Sequence, residues 1–491
     1  MALDRESGIF LHLSSLPGPH GIGDLGATTA VLDWLDRADQ SVWQVCPINP
    51  TQGVHGHSPY ASVSTFAGNP LFVDLTDLVD RGWLSADALA DAPRTDRVDY
   101  DRVVPFTEDC LEAAFEGFRD RATDEERATF EAFREREAGW LADYSLFVTL
   151  RERFDGQPWA DWPAEFASRD PDAIETIRTE RADRIAYHAF VQWIFDEQWQ
   201  RFRAAAADRG IDLIGDLPIY VAWDSADVWA HREAFDLRAD GHPAAVAGVP
   251  PNPGDDGQRW GMPVYDWDAL APEYDWWVAR LDRLLALVDR VRIDHFKAFE
   301  SFWAIPAEKS DPAAGEWRAG PGAAFFERVR AEHGALPFIV EDLGFLDDAL
   351  ATLRDRFEFP GMRVPHYADW CAERHRHKPA GYPERSVAYT STHDTNTARG
   401  YVESLDDRQR SCLEYALATD AERAVWDLLE AVWQSDAALA IAPVQDLLDL
   451  GSESRLNDPA GGDDWTWRLP AGALDDALAD RLRATTDAAL R

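Results

Sequence analysis

Val291-Arg292-Ile293-Asp294-His295-Phe296 is a short run that presents an arginine, a carboxylate and an imidazole in succession. As a strand it buries Val291 and Ile293 and turns Arg292 and Asp294 to the opposite face, because side chains alternate with period two. A guanidinium two residues away on that face keeps the carboxylate ionised by charge pairing. An ionised carboxylate at the C-terminal end of a strand is a nucleophile candidate, since barrel enzymes place their chemistry there. One Arg-x-Asp alone reads as a structural ion pair. The decision rests on whether other strands end in the same way.

Several do. Ile211 to Pro218 reads as a third strand carrying Asp216, and 291–296 as the fourth. Phe338 to Gly344 is a fifth, with Glu341 and Asp342 at its end. Gly361 to His366 is a sixth, Val387 to Asp394 a seventh and Leu439 to Pro443 an eighth. Ser7 to Ser15 and Val42 to Ile48 supply the first two. Eight β-rich runs separated by helices fit a (β/α)8 TIM barrel within the α/β class better than an open sheet. Two long insertions interrupt it. Residues from about 72 to 205 read as mostly helical, with Phe190, Val191, Ile194, Phe195, Trp199 and Phe202 at helical spacing. Residues from about 224 to 280 are rich in Trp, Pro and Gly. No linker or repeat divides the chain, so 1–491 is expected to be a single catalytic barrel domain.

Gly21-Ile22-Gly23-Asp24-Leu25-Gly26 is a formal GxGxxG ahead of a helix from about Thr28 to Ala38. A dinucleotide fingerprint needs its glycines directly after a strand and an acidic residue about 20 positions on. Here two prolines intervene and the next strand ends in Asn49-Pro50. These glycines are expected to shape a loop at a barrel mouth, not to bind a dinucleotide.

The totals exclude other classes. With 89 acidic and 48 basic residues the chain carries −41, which makes nucleic acid and anionic membranes poor partners. No run approaches the roughly 18 apolar residues of a membrane helix. Met1 to Glu6 lacks a basic start and an apolar core, so no signal peptide is expected and the cytoplasm is the simplest compartment. Cys46, Cys110, Cys371 and Cys412 are scattered, which disfavours both zinc and a disulfide framework. The pairs His55/His57 and His375/His377 lack further Cys or Asp ligands, so no metal is expected.

If the barrel closes, Asp294, Glu341 and Asp394 converge on one cavity. Cleaving an acetal needs such a set: one carboxylate at the oxocarbenium carbon and one carboxylic acid to protonate the leaving oxygen. Neighbouring anions would raise the Glu341 pKa while Arg292 holds Asp294 ionised. One such acid reads as a helix cap; three beside Arg292 and His393 read as catalytic.

The chain resembles the amylomaltases, the 4-α-glucanotransferases of glycoside hydrolase family 77, nearly end to end. The resemblance lies in SGIFLHLSSLPGPHGIGDLG (7–26), SPYASVSTFAGNP (58–70), IGDLPIYVAWDSADVWA (214–230), GQRWGMPVYDW (257–267), RIDHF (292–296), VEDLG (340–344) and TSTHDTNT (390–397). It implies Asp294 as nucleophile, Glu341 as acid/base and Asp394 as the carboxylate gripping hydroxyls of a distorted sugar. It also implies that Tyr60, Asp216, Gln258, Trp260, Arg292 and His393 bind the sugar, that no cofactor is needed, and that α-1,4-glucans are the substrates. An α-glucan hydrolase using the same carboxylates with water as acceptor is the nearest rival. Two departures concern the acceptor side. The family's adjacent aromatic residues before Gly257 are replaced by Pro250 to Asp256, and its Asn-Trp-x-Trp-Arg reads Asp464-Trp465-Thr466-Trp467-Arg468.

The acids are spread along the whole chain, and the lysines are only Lys297, Lys309 and Lys378. Such a chain suits molar salt, where the Debye length shrinks to ~3 Å and self-repulsion is screened. Thermal melts from low to molar KCl should therefore show a rising midpoint; a flat or falling one refutes salt adaptation.

Overall fold

The computed structural model describes residues 5–252, 255–344, 346–420, 422–458 and 464–491. Among the described residues, twelve strands form two sheets. They are β1 (Glu6–Phe10), β2 (Val42–Gln44), β3 (Asp212–Leu217), β4 (Ala245–Val249), β5 (Gln258–Pro263) and β6 (Arg290–Ile293). The series continues with β7 (Ser301–Pro306), β8 (Glu316–Ala319), β9 (Phe338–Val340), β10 (Gly361–Arg363), β11 (Ser386–Tyr389) and β12 (Leu439–Pro443).

Eight strands close a barrel in the order β1-β2-β3-β6-β9-β10-β11-β12. Every neighbouring pair in it is parallel. Parallel barrel strands are covered on both faces, so they read as continuous apolar runs; Leu439-Ala440-Ile441-Ala442 is fully buried. Close approach also needs Gly8: a Cβ there would sit 2.1 Å from the Val42 carbonyl oxygen of β2.

The strands end sooner than the sequence suggests. β1 stops at Phe10 and gives way to a 3₁₀ turn at Leu13–Ser15, and β10 stops at Arg363. Pairing sets these limits, because β2 offers β1 partners only from Val42 to Gln44. The GxGxxG stretch forms a loop in which Asp24 caps the turn Leu25–Ala27, followed by the helix Thr28–Arg37.

Between β2 and β3 lie the helices Tyr100–Arg121, Asp124–Arg136, Ala138–Arg153, Pro171–Glu180 and Ala182–Ala207. The last packs Phe190, Val191, Ile194, Phe195, Trp199 and Phe202 into the main core. Its flanks bury Trp193 against Trp83, Phe118 and Phe130 as well. The segments after β3 and after β6 together form a second, antiparallel sheet in the order β5-β4-β7-β8, which the sequence reading did not anticipate. Its strand AVAGV has no polar alternation, and Gly and Pro break the pattern of QRWGMP. This sheet brings β5 to the barrel mouth, where Gln258 and Trp260 line the central cavity.

The cysteines need a correction too. Cys371 and Cys412 form a disulfide with Cα atoms 5.2 Å apart, whereas Cys46 and Cys110 are free and buried. They lie 41 residues apart, so no local spacing announces the bond. It forms where the loop after β10 meets the helix Asp407–Leu417 over a small separate core of Trp370, Tyr401 and Leu413. Among the described residues, no helix is long and apolar enough to cross a membrane and no cluster is suited to a metal ion.

Candidate active site

Strand register assembles the centre of the site. β3 pairs with β6 so that Asp216 lies opposite Arg292. β6 pairs with β9 so that Ile293 lies opposite Val340. Asp294 and Glu341, each one residue further on, therefore leave adjacent strand ends at one level. Backbone hydrogen bonds fix both: Asp294 N–H donates to Leu217 O (3.1 Å) and Glu341 N–H to Ile293 O (3.0 Å). His295 then takes φ +46°, an uncommon left-handed conformation for a residue with a side chain, and turns the chain sharply.

Arg292 is buried and bridges two carboxylates. Its Nη1 donates to Asp216 Oδ1 and Oδ2 (2.8 and 2.7 Å), and its Nη2 lies 3.0 Å from Asp294 Oδ1. The Asp216 side chain is fully enclosed, whereas that of Asp294 is 26% exposed to the cavity. Tyr60 Oη donates to Asp216 Oδ2 (2.8 Å) and lies 2.8 Å from His393 Nε2. The same imidazole nitrogen is 2.9 Å from Asp394 Oδ2, so one N–H is shared between a phenol oxygen and a carboxylate. Asn457 donates to the other Asp394 oxygen (2.8 Å).

The central cavity, about 720 Å³, is lined by Tyr60, Gln258, Trp260, Arg292, Asp294, Glu341 and Asp394. Asp216 and His393 do not line it. They lie buried behind it and touch its lining through Arg292, Tyr60 and Asp394. Trp260 turns its ring edge-on to His295, with centroids 4.9 Å apart, and its indole N–H donates to Gln258.

Environment separates the acids. Burial raises the Glu341 carboxyl to about 7; Arg292 pulls against this and the Asp294 charge adds to it. Desolvation is thus the larger cause, ahead of the neighbouring anions. For Asp394 burial acts in the same direction, but His393, Arg292 and Asn457 outweigh it and hold the carboxyl below its ordinary range. Burial alone would lower the His393 pKa, yet Asp394 raises it overall. Burial takes His295 down to about 4, so it is neutral at pH 7.

Asn457 and Tyr367 belong to this neighbourhood and escaped the sequence reading, which named His295 and Trp465 without giving either a role. Asn457 and Tyr367 stand far from the three acids in sequence and line the cavity. Trp465 packs beside Tyr60 and His393, at ring separations of 5.9 and 6.2 Å. Its neighbour Asp464, at one of the family departures, accepts the Asp458 N–H (2.7 Å). In the other departure Asn252 and Asp255 pair through their backbones and line the cavity, while Pro253 and Gly254 lie outside the described residues.

Fold and site define a (β/α)8 enzyme with a carboxylate cluster at the C-terminal mouth of its barrel. The family model described as 4-alpha-glucanotransferase, glycoside hydrolase 77, matches residues 11–474. The 4-alpha-glucanotransferase of Thermus thermophilus is 42% identical across 100% of both chains. That of Synechocystis sp. is 40% identical over 98% of this chain and 97% of its own. The amylomaltase of Streptococcus agalactiae, solved in complex with acarbose, superposes with TM-score 0.95 at 32% identity, over 99% of this chain and 100% of that one. The amylomaltase of Corynebacterium glutamicum shares the fold (TM-score 0.79, 18% identity, 99% of this chain and 75% of that one). The chain belongs to the 4-alpha-glucanotransferases of glycoside hydrolase family 77.

The ion pair at the centre makes a stability prediction. Arg292→Met leaves Asp216 buried without its counter-charge and should cost about 3–5 kcal/mol in urea unfolding at neutral pH. Adding Asp216→Asn should recover much of that loss. If the two losses simply add, the pair is not the coupled unit described here.

Proposed function

We propose that this enzyme moves a segment of an α-1,4-glucan to the 4-hydroxyl of an acceptor glucose or glucan, by a retaining double displacement in which Asp294 and Glu341 divide the work. Asp294 attacks the anomeric carbon while Glu341 protonates the leaving 4-oxygen, giving a glucosyl-enzyme. An acceptor 4-hydroxyl then displaces Asp294, and Glu341, now a carboxylate, takes its proton. Asp394 accepts hydrogen bonds from ring hydroxyls of the distorted sugar. Tyr60, Gln258 and Trp260 contact the sugar faces and edges, an apolar ring with a polar tip suiting both. Arg292 keeps Asp294 in position, while Asp216 and His393 support Arg292, Tyr60 and Asp394 from behind.

The observation carrying this reading is the pairing of adjacent strand ends, where a carboxyl raised to about 7 stands beside one held by a guanidinium at 3.0 Å. Two acids with opposite environments are the acid and base assignments that acetal chemistry needs. The acarbose bound by the Streptococcus agalactiae amylomaltase supports a carbohydrate in this cavity. In this reading the compartment is the cytoplasm, and the −41 charge fits an enzyme working in concentrated salt.

Incubation with maltotriose should yield glucose and a ladder of longer oligosaccharides. Short sugars alone would mean that water is the acceptor, and no change would mean that the chain only binds glucans. Asp294→Ala and Glu341→Ala should each remove transfer while leaving the melting transition in place, since the two groups act as a unit. A second expectation concerns pH. The acid must carry its proton, so kcat/KM for maltotriose should fall as pH rises through about 7. That limb should vanish from the glycosylation burst with α-maltosyl fluoride, whose leaving group needs no proton. If it persists, another group titrates.

A further inference from the structure

One pocket in this acidic chain carries the opposite charge. Beside the central cavity lies a second one of about 400 Å³, and Asp342 and Leu350 line both. Three guanidiniums converge on it from three elements: Arg354 from the helix Asp348–Arg356, Arg363 from the end of β10, and Arg376 from the loop beyond. All three reach for one carboxylate. Asp342 Oδ2 accepts from Arg354 (2.7 Å) and Arg376 (3.3 Å), and Arg363 Nη1 stands 3.3 and 3.4 Å from its two oxygens. The Met362 N–H donates to Asp342 Oδ1 as well (2.8 Å).

The three guanidiniums share one buried carboxylate. Asp347, the other acid lining the pocket, shares Lys297 Nζ (2.6 Å) with Glu300 and caps the Leu350 N–H (2.8 Å). Arg354 also pairs with Asp355 (2.8 and 2.9 Å), at the solvent side. That leaves the buried Asp342 as the one carboxylate shared by Arg363 and Arg376. Both spend a single nitrogen on it: among the described residues, Arg363 bonds only through Nη1 and Arg376 only through Nη2. Their remaining N–H groups have no protein acceptor there. Burial, then Arg376 and Arg363, keep His377 down at about 3, so the neighbouring imidazole adds no charge of its own. A clamp that only fixes Asp342 needs one guanidinium and the Met362 N–H. The surplus donors are open to solvent and free to take an acceptor in the pocket.

We propose that this pocket is an oxyanion site, taking inorganic phosphate or the phosphate monoester of a sugar. Guanidinium forks from three directions match the several acceptor oxygens of a tetrahedral dianion, and they repel one another less once it is bound. A monatomic ion would waste the space, since about 400 Å³ is many times the ~30 Å³ share of one water. The two cavities share Asp342 and Leu350, but none of the three proposed catalytic acids lines this one, so phosphate binding here is tested apart from the transfer reaction.

Titration calorimetry at constant ionic strength set with KCl tests this. The probes are inorganic phosphate and glucose 6-phosphate, and glucose is the control. Saturable phosphate binding over the chloride background is expected. Arg376→Gln should weaken it at least about tenfold, the loss of one charged hydrogen bond. Arg376 is part-exposed and outside the catalytic cluster, so this variant should keep wild-type maltotriose turnover in phosphate-free buffer, which shows that it folds. Arg376→Lys, which keeps the charge without the fork, should fall between the two. Equal affinity for both probes identifies the bare oxyanion as the ligand. Tighter glucose 6-phosphate binding, displaced by phosphate but not by glucose, identifies the sugar ester and separates this pocket from the glucan cavity. The proposal is overturned if neither probe binds above chloride, or if Arg376→Gln binds phosphate as the wild type does.

Discussion

Arg292 stands at the point where the barrel and its chemistry depend on each other. A guanidinium buried to 3% of its surface is costly to desolvate, and its neighbours compensate: Asp216 takes it two-pronged from β3, and Asp294 takes its other nitrogen at the mouth. Asp216 and Arg292 are both buried, so each fixes the other. Asp294 is then held by a cation whose own position is set one strand away. The same face of β6 repeats the device two residues earlier, where Arg290 joins Glu6 of β1 to Asp212 of β3 at 2.6–2.8 Å. Two tiers of ion pairs thus cross the barrel interior. The lower one ties strands together, and the upper one adds a reactive carboxylate.

From that constraint the division of labour between the acids follows. Asp294 shares Arg292 with Asp216, so a cation stands 3.0 Å from it. Glu341 leaves the adjacent strand end into the same cavity without a cation of its own, and among the described residues only the Leu343 N–H (2.7 Å) donates to its carboxylate. One register, Ile293 beside Val340, produces both environments. Asp394 comes from a loop and needs different support, a His393–Tyr60 pair below and Asn457 above. Loop-borne groups need more partners than strand-borne ones because their backbone is less fixed.

What could be read from the sequence follows the same distinction. Strand-end acids announce themselves, since an apolar β-rich run followed by Asp or Glu is a local pattern; Asp216, Asp294 and Glu341 were all visible in this way. The eight barrel strands were legible for the same reason, although their ends were set by neighbours and came out shorter. Asn457 and Trp465 have no such signature: their place depends on how the chain after β12 crosses the mouth. The antiparallel sheet was missed because glycine and proline break the period of β5, and the Cys371–Cys412 bond because 41 residues separate partners brought together only by tertiary packing. That Asp216 and His393 would sit behind the cavity wall was equally hidden. A motif says that a residue belongs to a site but not at which depth.

Depth decides what happens to electrostatics in an acidic chain of this kind. At molar salt the Debye length is ~3 Å, so exposed pairs such as Arg119–Asp183 and Arg37–Asp480, worth little at any ionic strength, contribute less still. The Asp216–Arg292 pair is buried away from such screening, whereas Asp294 remains 26% exposed to the cavity. The raised Glu341 carboxyl owes its shift first to burial, which salt does not remove. Exposed pairs and the buried Asp216–Arg292 pair are therefore two separate electrostatic regimes.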